Sequence, residues 1–527
     1  MTRPGPAAGL CLLLALADCG AAASHGVPRA SRAATDATPA TVKAPPRPAS
    51  ASSDGDGDLE RVQAGVAALR ELPFRRRVAS SPQSRAQFRQ VVHDEIGREL
   101  GPAKNLAVSR ALAHAGFLPL AIDLAATLEE AETTQVAAYY DPRTEQFHTV
   151  SVSGGPAERE VIVAHELTHA LQDQYFDLIA YDGGPDNAHQ LSDDERAARR
   201  FVVEGEATFV MLAYQAASGQ GAGRTLGPLQ VAGVRMTLTM LAAIDYVDML
   251  ATVRVGEAAN KLDAETRAAL DALAAMPPLV ATSLVDPYIR GAFLVSEAWA
   301  RGGWPRVAQL YRDPPRSTEQ ALHPIEKLLD ARDPPIEIRL PTEATAATAA
   351  PPLLQQTMGE LDWRSYFKTW ADPEPERDAR GWGGDLLTVW ERAGGLLALT
   401  ATRWDTPADA ERFEQAYRRS LRRRFPAPHD RTRPRSKARA APGPAGASSA
   451  AVAATTEAAT GAIQRRDGTA IMIERRGLDV DIVDGARPGE VEPLLALLRA
   501  AERTPDTAPP RPPPAAPAPA SPPGPPR

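Results

Sequence analysis

The sequence predicts an α+β protein that is mainly helical, with a large helical body and a small C-terminal α+β domain. Two observations lead there. Apolar residues recur at helical spacing through most of the chain from Leu59 to Tyr311. After residue 353 a strand–strand–helix pattern occurs twice, without clear sequence identity between its halves. The 527 residues suffice for about two to four domains.

The first segment, "MTRPGPAAGLCLLLALADCGAAAS", carries Arg3 and then a short apolar run from Ala7 to Ala17. That is too short to span a bilayer and has the length of a signal-peptide core. Two processing routes fit. "AAAS" permits cleavage after Ala23, giving a signal peptide over 1–23. "LADC" is similar to a bacterial lipobox, giving a lipoprotein signal over 1–18 and a lipid anchor at Cys19, with Asp18 departing from the small residue usual there. The mature chain is therefore expected outside the cytoplasm, as a lipoprotein or a periplasmic or secreted protein. Residues 24–58, rich in Pro, Ala, Ser and Asp, read as a linker.

Three amphipathic helices are expected next, in "LERVQAGVAALREL", "SRAQFRQVVHDEIGREL" and "NLAVSRALAHAGF". In "TQVAAYYDPRTEQFHTVSV" the period falls to two, and Asp141-Pro142-Arg143-Thr144 reads as a hairpin turn. A helix follows from about Pro156 to Phe176, then a polar loop, then a helix from about Asp194 to Ala217. From Gly227 to Tyr311 the chain again reads helical, broken at Pro277-Pro278 and Gly302-Gly303. The helical domain is placed at 59–345, with 59–120 open to reading as a removable prodomain. The C-terminal domain is placed at 353–503. It reads as ββα–ββα with a Pro/Ala/Ser-rich insertion at 425–460, and its first helix starts at Thr406-Pro407, an N-cap followed by a first-turn proline. Residues 504–527 form a Pro-rich tail.

Composition narrows the function classes. A net charge of −7 and a pI near 5.8 give no basic surface for a nucleic-acid partner. The only cysteines, Cys11 and Cys19, leave neither a disulfide framework nor a thiolate zinc site. No later run approaches about 18 apolar residues, so no transmembrane helix is expected in the mature protein.

One motif carries chemistry. In "VIVAHELTH", His165 and His169 are spaced i and i+4, one turn apart on one helix face, where two imidazoles can share a zinc ion. Glu166 is rotated about 100° from His165 and is placed to act as general base on a water rather than as a ligand. Val161, Ile162, Ala164, Leu167 and Leu171 would pack the helix. A bare pair of surface histidines would show the same spacing, but the apolar helix and the nearby hairpin favour a site. Catalytic zinc needs a third protein ligand. The candidates are Glu204, 35 residues after His169, and Glu206, both on the returning helix, together with His148 and His189.

His-Glu-x-x-His followed by "EGEA" resembles the gluzincin metallopeptidases, whose catalytic core is thermolysin-like and zincin-like. The resemblance implies one zinc ion held by His165, His169 and Glu204. It also implies Glu166 as catalytic base and an edge hairpin along which a peptide lies extended. "DPYIRGAFLVSEAWARGG" is similar to the Tyr-x-x-Gly stretch of the zinc aminopeptidases in that group, which implies Tyr288 as oxyanion donor, with His323 as the alternative. "AYYDPRT", "HELTHALQDQYFDL", "PPRSTEQALHP" and "GWGGD" together resemble a poorly characterised family of bacterial exported proteins classed as metallopeptidases, over most of 60–425 and more weakly to about 500. A Gly-x-Met-Glu-Asn motif, which binds a free amino terminus in the aminopeptidases, is not recognisable, so an endopeptidase is expected. The implied activity is hydrolysis of a peptide or protein substrate by a zinc-activated water. The competing expectations are an exported lipoprotein with a non-hydrolytic zinc site, and a zinc hydrolase acting on another amide.

Overall fold

The computed structural model describes residues 53–135, 138–150, 156–183, 191–217, 226–245, 264–342, 351–426, 456–457, 463–465 and 467–507. The signal segment with Cys11 and Cys19, His189, most of the 425–460 insertion and the tail from residue 508 lie outside them. The chain is α+β and mainly helical, with small sheets.

Helix α1, Ser53–Arg70, begins inside the stretch read as linker. Its Leu59, Val62, Val66 and Leu69 recur at steps of three and four, and all four are buried. That apolar stripe outweighs the linker-like composition before it. Strand β1, Ala79–Pro82, is followed by helices α2 (Arg85–Glu99), α3 (Pro102–Ala115) and α4 (Leu124–Gln135). Ser84 and Gln87 close a capping box at the start of α2. Pro102 opens α3, and Gly116, at φ 94°, ends it in the left-handed region.

The expected hairpin forms strands β2 (Ala138–Asp141) and β3 (Gln146–Thr149), antiparallel with Tyr140 opposite Phe147. β1 pairs parallel to β3 on its other side, so among the described residues β2 keeps a free edge. Helix α5 spans Pro156–Phe176 and the short α6 Leu178–Tyr181. Helix α7, Asp193–Ala216, starts at Ser192, whose side chain accepts the Glu195 amide. Three carboxylates, Asp193, Asp194 and Glu195, complement the positive end of its dipole. α8 (Pro228–Ala242), α9 (Ala264–Ala275) and α10 (Pro278–Arg312) follow. Non-helical dihedrals at Gly302 and Gly303 kink α10 where the sequence places a break. One core joins α1, the β2–β3 hairpin, α5, α7, α9 and α10.

After the short helix α11 (Thr318–Leu322) come β4 (Ile336–Arg339), β5 (Leu354–Gln356), α12 (Gly359–Thr369) and α13 (Pro375–Ala379). The C-terminal sheet contains β6 (Trp382–Arg392), β7 (Gly395–Trp404), β8 (Thr456–Glu457), β9 (Ile463–Gln464), β10 (Ala470–Arg476) and β11 (Asp479–Ala486). Helices α14 (Pro407–Arg424) and α15 (Val491–Arg499) follow β7 and β11. Its order is β5-β6-β7-β11-β10-β9-β8, and the two halves meet where Asp479 to Asp484 pair antiparallel with Arg403 to Ala398. One face packs against α12 and α14 and, in the same core, α2 to α4. The other face carries α15 and Ile338 of β4. Strand β12, Glu502–Pro505, reaches into the stretch read as tail and pairs antiparallel with β4. Its Pro505 sits at the last position of an edge strand, where a proline is tolerated.

Among the described residues no helix is long and apolar enough to cross a membrane.

Candidate metal centre

Helix α5 supplies both histidines. Ile162, Ala164, Leu167, Ala170 and Leu171 are buried in the helical core, which fixes the rotation of α5 about its axis and turns His165 and His169 toward α7. Helix α7 brings Glu204 opposite them. Helix α10 crosses α7 with backbones in contact. A Cβ on Gly205 would lie 2.2 Å from the Gly291 carbonyl carbon, and one on Gly291 would lie 2.2 Å from the Phe201 carbonyl oxygen. Only glycine permits that approach. The crossing sets Tyr288, one turn before Gly291, against the site, its ring stacked on His165 at 5.8 Å between centroids.

The three candidate ligand atoms form a triangle. His165 Nε2 and His169 Nε2 are 3.1 Å apart, and Glu204 Oε2 is 3.4 Å from each. Metal–ligand bonds of about 2.0–2.1 Å at tetrahedral angles separate the ligand atoms by about 3.3 Å. Glu204 Oε2 is buried and has no hydrogen-bond partner among the described residues. Such an atom is costly to bury without a partner. Donor type, spacing and the unsatisfied oxygen all fit a zinc ion, with one coordination position left over.

The electrostatics agree. Burial opposes the protonated His169 ring, but the Glu204 charge, with Glu166 and Gln172, outweighs it and pushes the imidazole up to about 9. Burial likewise opposes the Glu204 carboxylate, and the two histidines outweigh it, holding the group well below the usual carboxylate range.

Glu166 lies within 4.8 Å of both histidine nitrogens, so by proximity alone it competes with Glu204 as a ligand. Its other contacts decide against that. Its Oε2 accepts the backbone N–H of Tyr140 at 2.9 Å, which ties it to β2. Burial pushes its carboxyl up, partly countered by the two histidines. A raised pKa suits a group that takes and returns a proton.

Of the remaining candidates, His189 lies outside the described residues and the others have different neighbours. Glu206 is paired with Arg70 and accepts the Tyr311 hydroxyl. His148 stacks on Tyr139 at 4.8 Å, and burial pushes its pKa down. His323 Nε2 meets both Glu360 oxygens, at 2.9 and 3.0 Å. Glu319, Asp333 and Asp405 also converge, but on the Lys327 ammonium.

The motif "PPRSTEQALHP" helps join the two halves of the chain, since Thr318 Oγ1 accepts the Leu361 amide at 3.2 Å, whereas the aspartate of "GWGGD" ties elements within the C-terminal half. Thr318 donates through its backbone amide and its hydroxyl to Asp194. Asp385 accepts the amides of Met358 (2.7 Å) and Gly359 (3.1 Å) and the indoles of Trp363 (2.9 Å) and Trp382 (2.6 Å). Sequence reasoning passed over Gln172, whose Oε1 lies 2.9 Å from His169 Nδ1. Its i+3 position after His169 was the available signal.

The fold and centre define a mainly helical α+β protein with a buried His-His-Glu triangle. Residues 352–494 match a family described as a domain of unknown function, DUF8575, which lies in the C-terminal half and includes none of the triangle. No curated protein and no solved structure is matched by the chain.

Proposed function

We propose that this chain is an exported zinc metallopeptidase, an endopeptidase with a zincin-like helical core, anchored at Cys19 or released after Ala23. The triangle of His165 Nε2, His169 Nε2 and the unpartnered Glu204 Oε2 carries the reading. A zinc ion there would supply a Lewis acid that lowers the pKa of a water to about 7 and polarises a carbonyl oxygen. Glu166 takes the proton of the attacking water and passes it to the leaving nitrogen. Tyr288 donates to the developing oxyanion. Because the Tyr140 N–H is given to Glu166, it is turned away from β3, so the free edge of β2 faces Glu166. An extended peptide adding to that edge lies across the base.

The test is zinc analysis together with peptide-library digestion by the wild type beside Glu166→Gln, with and without chelator. Stoichiometric zinc and wild-type cleavage that the chelator abolishes support the reading. A zinc-loaded wild type that cleaves nothing favours a second reading, an exported lipoprotein whose zinc site is non-hydrolytic. One observation favours that alternative: His165, Glu166, His169, Glu204 and Tyr288 are all at most 5% exposed, so a peptide reaches them only after covering elements part.

A further inference from the structure

The imidazole of His169 is oriented by a chain of buried polar groups leading away from the metal position. Its Nδ1 faces Gln172 Oε1 at 2.9 Å. Gln172 Nε2 donates to the Val203 carbonyl at 2.9 Å and faces Glu206 Oε2 at 3.4 Å. Glu206 in turn is gripped by the Arg70 guanidinium and the Tyr311 hydroxyl. Arg70 belongs to helix α1, and its guanidinium lies 4.3 Å from the ring centroid of Trp304, whose indole donates to the Leu69 carbonyl. Arg70, Gln172, Glu206, Tyr311 and Trp304 are all buried.

The order of donors and acceptors leaves little freedom. A carbonyl and a carboxylate both stand on the nitrogen side of the Gln172 amide, and neither can donate. If the amide flipped, its oxygen would meet two acceptors. Oxygen therefore faces His169, so Nδ1 carries the proton and the Nε2 lone pair points to the metal position. His165 has no such support, because its buried Nδ1 lacks a hydrogen-bond partner among the described residues.

We propose that Arg70 is a positioning residue of the metal centre, acting through Glu206 and Gln172 to fix the His169 tautomer. This rests on the metal-centre reading above. It also makes α1 part of that centre, against its removal with a prodomain.

The experiment is a zinc dissociation constant for the full chain, by competition with a chromophoric chelator, for wild type, Arg70→Met, Arg70→Lys and Gln172→Leu. R70M and Q172L should bind zinc about 10–100-fold more weakly than wild type, with unchanged far-UV circular dichroism. R70K, which keeps the charge, should fall between wild type and R70M. A folded R70M or Q172L with the wild-type constant overturns the inference. If R70M does not fold, Q172L decides alone, since it removes the amide without stranding a charge. A wild-type chain that takes up no zinc sinks the metal-centre reading itself.

Discussion

Glu204 and Glu206 sit two residues apart on α7 and serve opposite surroundings. Glu204 Oε2 faces the two histidines without a hydrogen-bond partner among the described residues, while Glu206 is gripped by Arg70 and Tyr311. Two positions on a helix differ by about 200°, so one side chain can face the histidine pair of α5 and the other α1. The two truncations should therefore differ in kind. Glu204→Ala loses zinc and keeps its fold. Glu206→Ala strands the buried Arg70 charge and should cost about 3–5 kcal/mol of stability. Zinc stoichiometry and urea denaturation separate them. Stoichiometric zinc in E204A alongside its loss in E206A would reverse the ligand assignment.

Glu166→Gln keeps an oxygen for the Tyr140 amide but not a base. Zinc content should stay at the wild-type level while kcat falls by about 10²–10⁴. Retained turnover in a zinc-replete E166Q protein would remove Glu166 from the reaction.

Tyr288→Phe removes a hydroxyl and preserves the ring stacked on His165. The expected result is full zinc occupancy with kcat lowered by about 10²–10³ and KM little changed. An unaltered kcat would return the oxyanion role to other groups.

Acid should destabilise the chain in two stages, both read at the α3–β11 contact. Burial pushes His114 below the ordinary histidine value of 6.5, so below that pH the unfolded chain binds a proton before the folded one does. Stability then falls with pH. Burial opposes the Asp484 carboxylate too, but Arg465, His114 and Arg424 outweigh it and hold it below the ordinary 3.8. Its contribution is present above that value and is lost as pH falls through the lower folded value. Chemical denaturation between pH 8 and 3, beside His114→Gln, measures both stages. The variant should lose the first and keep the second.

Asp385→Ala leaves four buried donors without their acceptor. A loss of about 3 kcal/mol or more is expected, with red-shifted tryptophan emission because Trp363 and Trp382 are two of the donors. Wild-type stability would mean that the Asp385 cluster is dispensable.

The legible parts of the fold were those written in short-range periodicity. Helix α5 begins and ends where its apolar spacing and flanking residues place it, and so do the Thr406 cap of α14 and the break at Gly302-Gly303. The i and i+4 histidines are adjacent for the same local reason. What escaped was set by partners distant in sequence. "ASSP" has no strand signature and becomes β1 only by lying beside β3. Arg70 resembles any last-turn arginine of a surface helix until Glu206 meets it from 136 residues away. Gly205 and Gly291 carry their meaning only as a pair, since each vacates the space that the other's helix fills.

Strands β4 and β12 flank the 352–494 match on either side and pair from Arg339–Glu502 to Ile336–Pro505. The ends of the C-terminal unit therefore meet in space. Gly384 adds to the closure, since a Cβ there would lie 2.2 Å from the Ile336 carbonyl oxygen. A module with adjoining ends can be inserted into a host loop without leaving the host's chain far apart. The unit that closes this way runs from 336 to 505, and the core it shares with α2 to α4 keeps it tied to its host. Trimmed to the matched limits it would lose its clasp and part of α15, leaving Ile338's side of the sheet open to water.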